Sequence, residues 1–264
     1  MRATSQPKDI KELAQRLLHA EESRLAIAPL TQEFHDLNIE DAYQIQLSII
    51  EAKKAKGSLV IGKKAGVTSK AIQQMFDVRE PDYGHLLDEM IVHEGEAIQC
   101  STLIQPKAEP EIAFVLAEDL EGPGVNVADV LAATRYVLPV LEIIDSRIAD
   151  WKIKLPDTIA DNASSGKVVI GGAVRKVDSL DLRLVGVVLE KNGEVVATGA
   201  GAAVLGNPAN AVAWLANKLA MMDQSLKANE LILPGSLTAA VEVNVGDHIH
   251  ASFDHLGSVS MRFV

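Results

Sequence analysis

The chain has 264 residues, of which 48% are hydrophobic and 23% are charged, a balance that can fill the core of a globular protein. Aromatic residues make up only 4% and the formal net charge is −11, so neither base-stacking aromatics nor a basic surface favour nucleic acid as a partner. No apolar run approaches the roughly 18 residues that a membrane helix needs, and the first residues lack the apolar core of a signal peptide, so we expect a cytoplasmic protein.

The first part of the chain has the periodicity of amphipathic helices. Apolar residues recur at intervals of three and four in two stretches, which are Ile10, Leu13, Leu17 and Leu18, and then Ala42, Ile45, Ile49 and Ile50. Asp41 lies near the start of the second stretch, where the helix dipole favours an acidic residue. We therefore interpret residues 1–57, which end at Gly57, as a helical N-terminal region.

Residues 58–264 have the character of a mixed β catalytic domain. Short runs rich in Val and Ile, separated by Gly, Pro and Asn-Gly signals, predict strands over 112–116, 137–144, 168–170 and 184–190. Asn192-Gly193 lies between two apolar runs and predicts a hairpin. One clear helix interrupts the strands after Pro208. The predicted fold class is α+β, with a mostly β body and a helical N-terminal region.

The most informative segment contains Glu109 and Glu111, which precede an apolar run. In an extended strand, residues two apart point to the same side, so both carboxylates project together. Two carboxylates about 4 Å apart repel by about 4 kcal/mol at an effective dielectric constant near 20. A divalent cation would remove this repulsion, and oxygen ligands suit Mg²⁺ or Mn²⁺.

A third carboxylate, Glu142, lies inside a run that is apolar on both faces. A buried carboxylate is unfavourable unless it is paired or bound to a metal ion, so Glu142 is a candidate third ligand. The alternative is that Glu109 and Glu111 form a solvated strand end. In that case Glu142 would pair with Arg147 or Lys152.

Other polar segments could contact an anionic ligand. Lys63 and Lys64 lie beside glycines directly after an apolar run, and a lysine in a pocket can bind an anion or move protons. Adjacent lysines are also typical of a solvated turn, and Asp82, which follows a proline, is likewise typical of a turn. Residues 161–166 form a small polar loop suited to hydrogen-bonding a carboxylate.

In their order along the chain, these motifs resemble the fumarylacetoacetate hydrolase superfamily and, within it, the 2-oxopent-4-enoate (2-hydroxypenta-2,4-dienoate) hydratases. The resemblance extends over nearly the whole chain. The matching segments are 41–43, 61–64, 66–70, 81–84, 109–111, 142–147, 157–164, 199–203, 205–208, 214–216 and 256–259. One departure is Asn207, which stands where relatives often have His before Pro208.

The resemblance implies a role for each candidate residue. It assigns Mg²⁺ or Mn²⁺ to Glu109, Glu111 and Glu142. It also assigns the groups that face the substrate, which are Lys64 as the catalytic lysine, Asp82 as an acid/base carboxylate, and Ser164, Gly235 and Ser236 as substrate-binding residues. Which of the lysine and the aspartate donates a proton stays open.

The activity that the resemblance implies is the metal-dependent hydration of 2-hydroxypenta-2,4-dienoate to 4-hydroxy-2-oxopentanoate, a step in the meta-cleavage degradation of aromatic compounds. The substrate would be a small 2-oxo or 2-hydroxy-dienoate acid. The resemblance further implies a homo-oligomer and leaves open a complex with another enzyme of the meta-cleavage pathway.

Other activities stay open as alternatives. The sister enzyme 4-oxalocrotonate decarboxylase shares the fold, the metal ligands and the lysine, but its pattern has an apolar residue in place of Asp82. The heptenedioate hydratases have extra residues between the positions of Arg147 and Asp157, where this chain is compact. A catalytically inactive partner subunit is a further alternative, against which the intact Lys64, Asp82 and glutamates argue.

Overall fold

The computed structural model describes residues 9–264, so residues 1–8 of the predicted N-terminal region lie outside the described residues. The helices are α1 (Ile10–Ser23), α2 (Leu30–Glu33), α3 (Ile39–Ala55), α4 (Lys70–Met75), α5 (Val127–Ala133), α6 (Leu155–Ala160) and α7 (Pro208–Ala220). The strands are β1 (Val60–Gly66), β2 (Asp82–Leu87), β3 (Ile91–His93), β4 (Ala97–Ile98), β5 (Lys107–Leu116), β6 (Thr134–Ile144), β7 (Ser165–Ile170), β8 (Gly186–Lys191), β9 (Glu194–Ala200), β10 (Leu231–Leu233), β11 (Val241–Glu242), β12 (His248–Phe253) and β13 (Gly257–Phe263). This order confirms the predicted α+β class.

The long N-terminal helices α1 and α3 are amphipathic and pack against each other, and α3 also contacts β2. The side chains of Asp9 and Asn38 cap α1 and α3 by accepting hydrogen bonds from backbone N–H groups of the first turn. The buried faces of both helices belong to the same hydrophobic core as the sheets. Both predicted helical stretches are thus confirmed, whereas the division of the chain after Gly57 stays a prediction. Among residues 9–264, no helix has the length and the hydropathy required to cross a membrane.

Two sheets form the rest of the fold, and the larger one contains the strands of the candidate site. Its order is β2-β1-β10-β5-β6-β7-β3, and the smaller sheet has the order β4-β13-β12-β8-β9. On one side β5 pairs with β6 along its whole length. On the other side it pairs with β10 at residues 114–115 and with β11 at 107–108. The edge of β5 between these two contacts is covered by the loop 234–240, in which the Leu237 N–H donates a hydrogen bond to the Pro110 carbonyl.

Most of the predicted β structure is confirmed. The first three predicted strands lie within β5, β6 and β7. Asn192 and Gly193 join β8 to β9 with φ values of 58° and 84°, as a type I′ hairpin requires. The predicted start of the fourth strand is wrong, because the Leu184 N–H donates a hydrogen bond to the Asp181 carbonyl and closes a turn before β8. The predicted helix is α7, and the side chain of Asn207 caps it.

Candidate active site

Three glutamates converge on one face of the larger sheet. The antiparallel pairing of β5 and β6 places Glu109 directly opposite Glu142, and Glu111 lies two residues further along the same face of β5. One carboxylate oxygen from each residue lies within 4.8 Å of the other two. Glu111 and Glu142 are each only 1% exposed, and Glu109 is half-buried. The alternative of a solvated strand end is therefore wrong.

This glutamate cluster has more buried acceptor oxygens than hydrogen-bond donors. Oε1 of Glu111 and both carboxylate oxygens of Glu142 have no hydrogen-bond partner, which is unfavourable for buried charges. Burial and the neighbouring Glu142 raise the pKa of Glu109 to about 7 and that of Glu111 well above its ordinary value. A divalent cation would offset the same repulsion, so this donor set fits Mg²⁺ or Mn²⁺.

Lys64 supplies a positive charge beside the glutamates. It is buried on β1; its Nζ lies 3.3 Å from Glu142 Oε1 and donates a hydrogen bond to the Ala163 carbonyl at 2.9 Å. Burial disfavours the ammonium form, but the carboxylates, Glu142 and Glu109 foremost, outweigh this effect and raise the pKa of Lys64. Lys64 is therefore protonated at neutral pH.

The interpretation of the adjacent lysines as a solvated turn is wrong. Both are buried in β1, where alternation along the strand directs them to opposite faces. Lys63 forms an ion pair with Glu230, with Nζ and Oε1 2.9 Å apart. Of the two lysines, Lys64 is the one that contacts the glutamate cluster. The turn interpretation failed because β1 is a central strand that pairs with β2 on one side and with β10, which is distant in the sequence, on the other.

Asp82 begins β2 and lies against Gly66, its cross-strand partner on β1. A Cβ atom at residue 66 would lie 2.3 Å from Asp82 Oδ1 and 3.7 Å from Lys64 Nζ, so the glycine leaves room for the Asp82 carboxylate beside the lysine. Asp82 is 1% exposed and its Oδ1 has no hydrogen-bond partner. Burial raises the pKa of Asp82 to about 6, although Lys64 opposes the shift. Asp82 is thus a buried ionisable group, and its interpretation as a turn former is wrong.

Ser164 lies beside the lysine of the cluster. It is the last residue of a short helical turn, 162–164, that is buried throughout. Its hydroxyl is 3.3 Å from that of Thr158. The preceding residue, Ala163, is the one whose carbonyl accepts the hydrogen bond of Lys64. The structure therefore places the predicted polar loop next to the catalytic lysine candidate.

Gly235 and Ser236 lie on the loop that covers the edge of β5. The Gly235 N–H donates a hydrogen bond to Glu111 Oε2 at 2.7 Å. Its φ of 118° is a conformation that suits glycine, and a Cβ there would lie 2.0 Å from Thr68 Oγ1. Ser236 Oγ lies 3.5 Å from the Pro110 carbonyl oxygen. The loop thus contacts the cluster directly through Glu111.

The charge partners of Glu142 differ from those considered in the sequence. Arg147 pairs with Asp161, and Lys152 pairs with an exposed neighbour, so Glu142 is neutralised by Lys64 instead. The sequence does not predict this pair, because its members lie on strands that are not adjacent in the chain. The available signal is that Lys64 and Glu142 are both charged residues in or directly after apolar runs.

Known proteins are similar to this chain over most of its length. Residues 63–264 match the family model for the C-terminal domain of fumarylacetoacetate (FAA) hydrolase. The chain is 54% identical over 211 residues to a 2-hydroxypent-2,4-dienoate hydratase of Pseudomonas putida, with 80% of this chain and 95% of that protein covered. It is 48% identical over 256 residues to a 2-hydroxyhexa-2,4-dienoate hydratase of Comamonas testosteroni, with 96% and 97% covered. A solved structure of 4-oxalocrotonate decarboxylase from Pseudomonas putida G7, complexed with magnesium and adipate, matches with a TM-score of 0.93 and 42% identity over 98% of this chain and 100% of that chain.

Proposed function

Because the chain belongs to the fumarylacetoacetate hydrolase superfamily, we propose that it is a hydro-lyase that hydrates 2-hydroxypenta-2,4-dienoate to 4-hydroxy-2-oxopentanoate in the meta-cleavage degradation of aromatic compounds. The observation that supports this proposal best is a buried glutamate cluster flanked by Lys64, with Asp82, whose Oδ1 has no hydrogen-bond partner, close to the lysine. The relatives named as hydratases of five- and six-carbon dienoates support the substrate class.

Glu109, Glu111 and Glu142 would hold the metal ion, which we propose to be Mg²⁺ or Mn²⁺. When bound, such an ion acts as a Lewis acid that polarises the 2-oxygen of the substrate. The Gly235 N–H orients Glu111 by donating a hydrogen bond to Oε2, and Oε1 of the same carboxylate has no hydrogen-bond partner. Ser164 and the backbone at Gly235 and Ser236 would contact the substrate.

Lys64 and Asp82 would move the protons of the reaction. Hydration adds a proton at C5, the hydroxyl of water at C4 and a proton at C3, while the enol hydroxyl loses its proton. Asp82, with a pKa of about 6, is mostly ionised at neutral pH, and its unpartnered Oδ1 can accept a proton from water. Lys64 is protonated and can donate one. We therefore assign the base to Asp82 and the proton donor to Lys64.

The second candidate function is the decarboxylation of 4-oxalocrotonate, which the similarity to a decarboxylase structure favours. Decarboxylation needs no carboxylate base, and an ionised Asp82 would repel a substrate carboxylate that approaches it. Asp82 therefore supports hydration. The intact cluster, Lys64 and Asp82 argue against an inactive partner subunit.

The proposal can be tested by a spectrophotometric assay of the purified protein with 2-hydroxypenta-2,4-dienoate. We expect the absorbance of the dienoate to disappear in the presence of Mg²⁺ or Mn²⁺ and 4-hydroxy-2-oxopentanoate to accumulate. EDTA should stop the reaction, and excess metal should restore it. Absence of turnover with either metal would reject the proposal.

The assembly and the cellular location are separate proposals. We propose a homo-oligomer in the cytoplasm, and a complex with another enzyme of the meta-cleavage pathway, on the basis of the sequence and its resemblance. Size-exclusion chromatography with light scattering measures the oligomeric state. A monomer at micromolar concentration would reject the first of these proposals.

A further inference from the structure

Three consecutive residues beside Lys64 have an unfavourable backbone conformation. Asn162, Ala163 and Ser164 have φ values of 52°, 51° and 54°. The left-handed region costs roughly 1–2 kcal/mol per residue for L-amino acids, and Asn tolerates it better than most. Ala163 and Ser164 have no such tolerance, so contacts from outside the segment must hold them. The Ala163 carbonyl accepts the hydrogen bond of Lys64, so the conformation of this segment determines where that acceptor lies.

One buried guanidinium ties together both ends of the segment. Arg147 is 5% exposed, and it donates hydrogen bonds to the backbone carbonyls of Asp161 and Ser165, which flank residues 162–164. Its Nε donates to the Asp161 carboxylate, which also accepts the backbone N–H of Arg147 at 3.0 Å. A further bond goes to the carbonyl of Asp145, the residue directly after β6. The segment is therefore anchored to the strand that contains Glu142.

We propose that Arg147 is a positioning residue of this enzyme, which holds residues 162–164 in the left-handed conformation and so places the Ala163 carbonyl that orients Lys64. The inference rests on the role proposed for Lys64. The hydrogen bonds of the Arg147 side chain go to Asp145, Asp161 and Ser165, so its effect on the reaction is exerted through the segment.

Arg147→Lys is the informative substitution. It keeps the charge next to Asp161 but removes the planar fork that reaches several acceptors at once. The matched control is Arg183→Lys, the same chemical change at an exposed ion pair with Asp181. The control should leave both activity and the melting temperature unchanged.

The test is a double-mutant cycle with Lys64→Ala, in which kcat and KM for 2-hydroxypenta-2,4-dienoate are measured at saturating Mg²⁺. We expect Arg147→Lys to lower kcat by about 10- to 100-fold, as expected for a misplaced catalytic group, and to change KM by no more than about twofold. In the Lys64→Ala background it should cause no further loss, because residues that act through one another are not additive. Multiplicative losses, or a normal kcat in Arg147→Lys, would overturn the inference. A normal kcat in Lys64→Ala would instead overturn the proposed function.

A readout that does not depend on activity is amide hydrogen exchange in the metal-free protein. The Asp145 N–H donates to the Ser164 carbonyl, and the Ser164 N–H donates to the Asp161 carbonyl. Exchange at both amides should be faster in Arg147→Lys and unchanged in Arg183→Lys; unchanged exchange would overturn the inference. If Arg147→Lys does not fold, Ala163→Gly should restore folding to it, since glycine removes the left-handed cost at that residue. Failure of this rescue would also contradict the inference.

Discussion

Lys64 and Glu142 form a buried ion pair, with Nζ and Oε1 3.3 Å apart, and yet both carboxylate oxygens of Glu142 lack a hydrogen-bond partner. The lysine thus lowers the negative charge of the cluster, while Glu142 Oε2 and Glu111 Oε1 have neither a hydrogen bond nor an ion pair and stay available to a cation. When all three glutamates are ionised, as metal binding requires, they and the Lys64 ammonium group together carry a net charge of about −2, which one divalent cation balances. This relationship explains why a buried lysine and a metal site can coexist, and several predictions depend on it.

Metal removal should destabilise the protein more at high pH than at low pH. The pKa of Glu109 is raised to about 7 and that of Glu111 is also raised, whereas an unfolded Glu titrates near about 4.3. A carboxyl group whose pKa is higher in the folded state than in the unfolded state stabilises the fold fully at a pH below its unfolded-state pKa. This stabilisation is lost as the pH rises through its folded-state pKa. Thermal denaturation with EDTA and with Mg²⁺ should therefore show a larger difference in Tm at a pH of about 8 than at about 5.5. A difference in Tm between Mg²⁺ and EDTA that is the same at both pH values would contradict the assignment of Glu109 and Glu111 as metal ligands.

Glu111→Gln should reduce metal-supported turnover while the fold persists. Glutamine keeps an oxygen that can accept the Gly235 N–H, but it removes one charge from the cluster. At limiting Mg²⁺ we expect activity to fall by about 100-fold, and in EDTA we expect a Tm equal to or above that of the unmodified protein. Glu242→Gln, at a side chain that is 78% exposed, is the control. Activity near the normal level at limiting Mg²⁺ would reject Glu111 as a ligand.

Lys64→Ala and Lys63→Ala should have different effects, although the residues are adjacent. Lys64→Ala should lower kcat by on the order of 100-fold or more, since it removes a proton donor. Lys63→Ala should leave kcat within about threefold but lower the Tm by several degrees, because it removes the cation that pairs with the largely buried Glu230. Steady-state kinetics and thermal denaturation of both variants measure this. Equal losses of kcat would show that Lys64 has no specific role.

Asp82→Asn should remove most of the activity, and the kcat that remains should no longer decline at acidic pH. Because the base must be ionised, kcat of the unmodified enzyme should decline as the pH falls through about 6, the pKa of Asp82. The variant should lose about 100- to 10,000-fold in kcat. It should still bind oxalate, a chelating mimic of a 2-oxo acid, in the presence of Mg²⁺, as calorimetry can measure. Loss of oxalate binding along with activity would point to a disrupted metal site instead.

Local patterns in the sequence predict much of the fold and part of the site. The same-face projection of Glu109 and Glu111 follows from the two-residue period of a strand, and the hairpin follows from Asn192-Gly193. The burial of Lys64 does not follow, because it depends on tertiary contacts, among them the pairing of β1 with β10, which is distant in the chain. The left-handed conformation of the segment 162–164 does not follow either, because its flanking carbonyls bond to the guanidinium of Arg147, in the connection after β6.

The covering of β5 by the loop 234–240 is also a tertiary feature. It arises because β10 and β11 pair with separate parts of β5. Each of these pairings is only two residues long, which is too short to produce a recognisable hydrophobic period in the sequence. The hydrogen bond from Gly235 to Glu111 therefore could not be derived from residue patterns. The resemblance to a family gave the position of Gly235, and the structure gives its contact.

The most direct test of the central claim is a parallel measurement of two reactions by the same purified protein at saturating Mg²⁺. Consumption of 2-hydroxypenta-2,4-dienoate is followed spectrophotometrically, and CO₂ release from 4-oxalocrotonate is followed in a coupled assay. We predict a kcat/KM for hydration that exceeds that for decarboxylation by at least about 100-fold, equivalent to about 2.7 kcal/mol in transition-state stabilisation. Rapid release of CO₂ with no hydration of the dienoate would contradict the account.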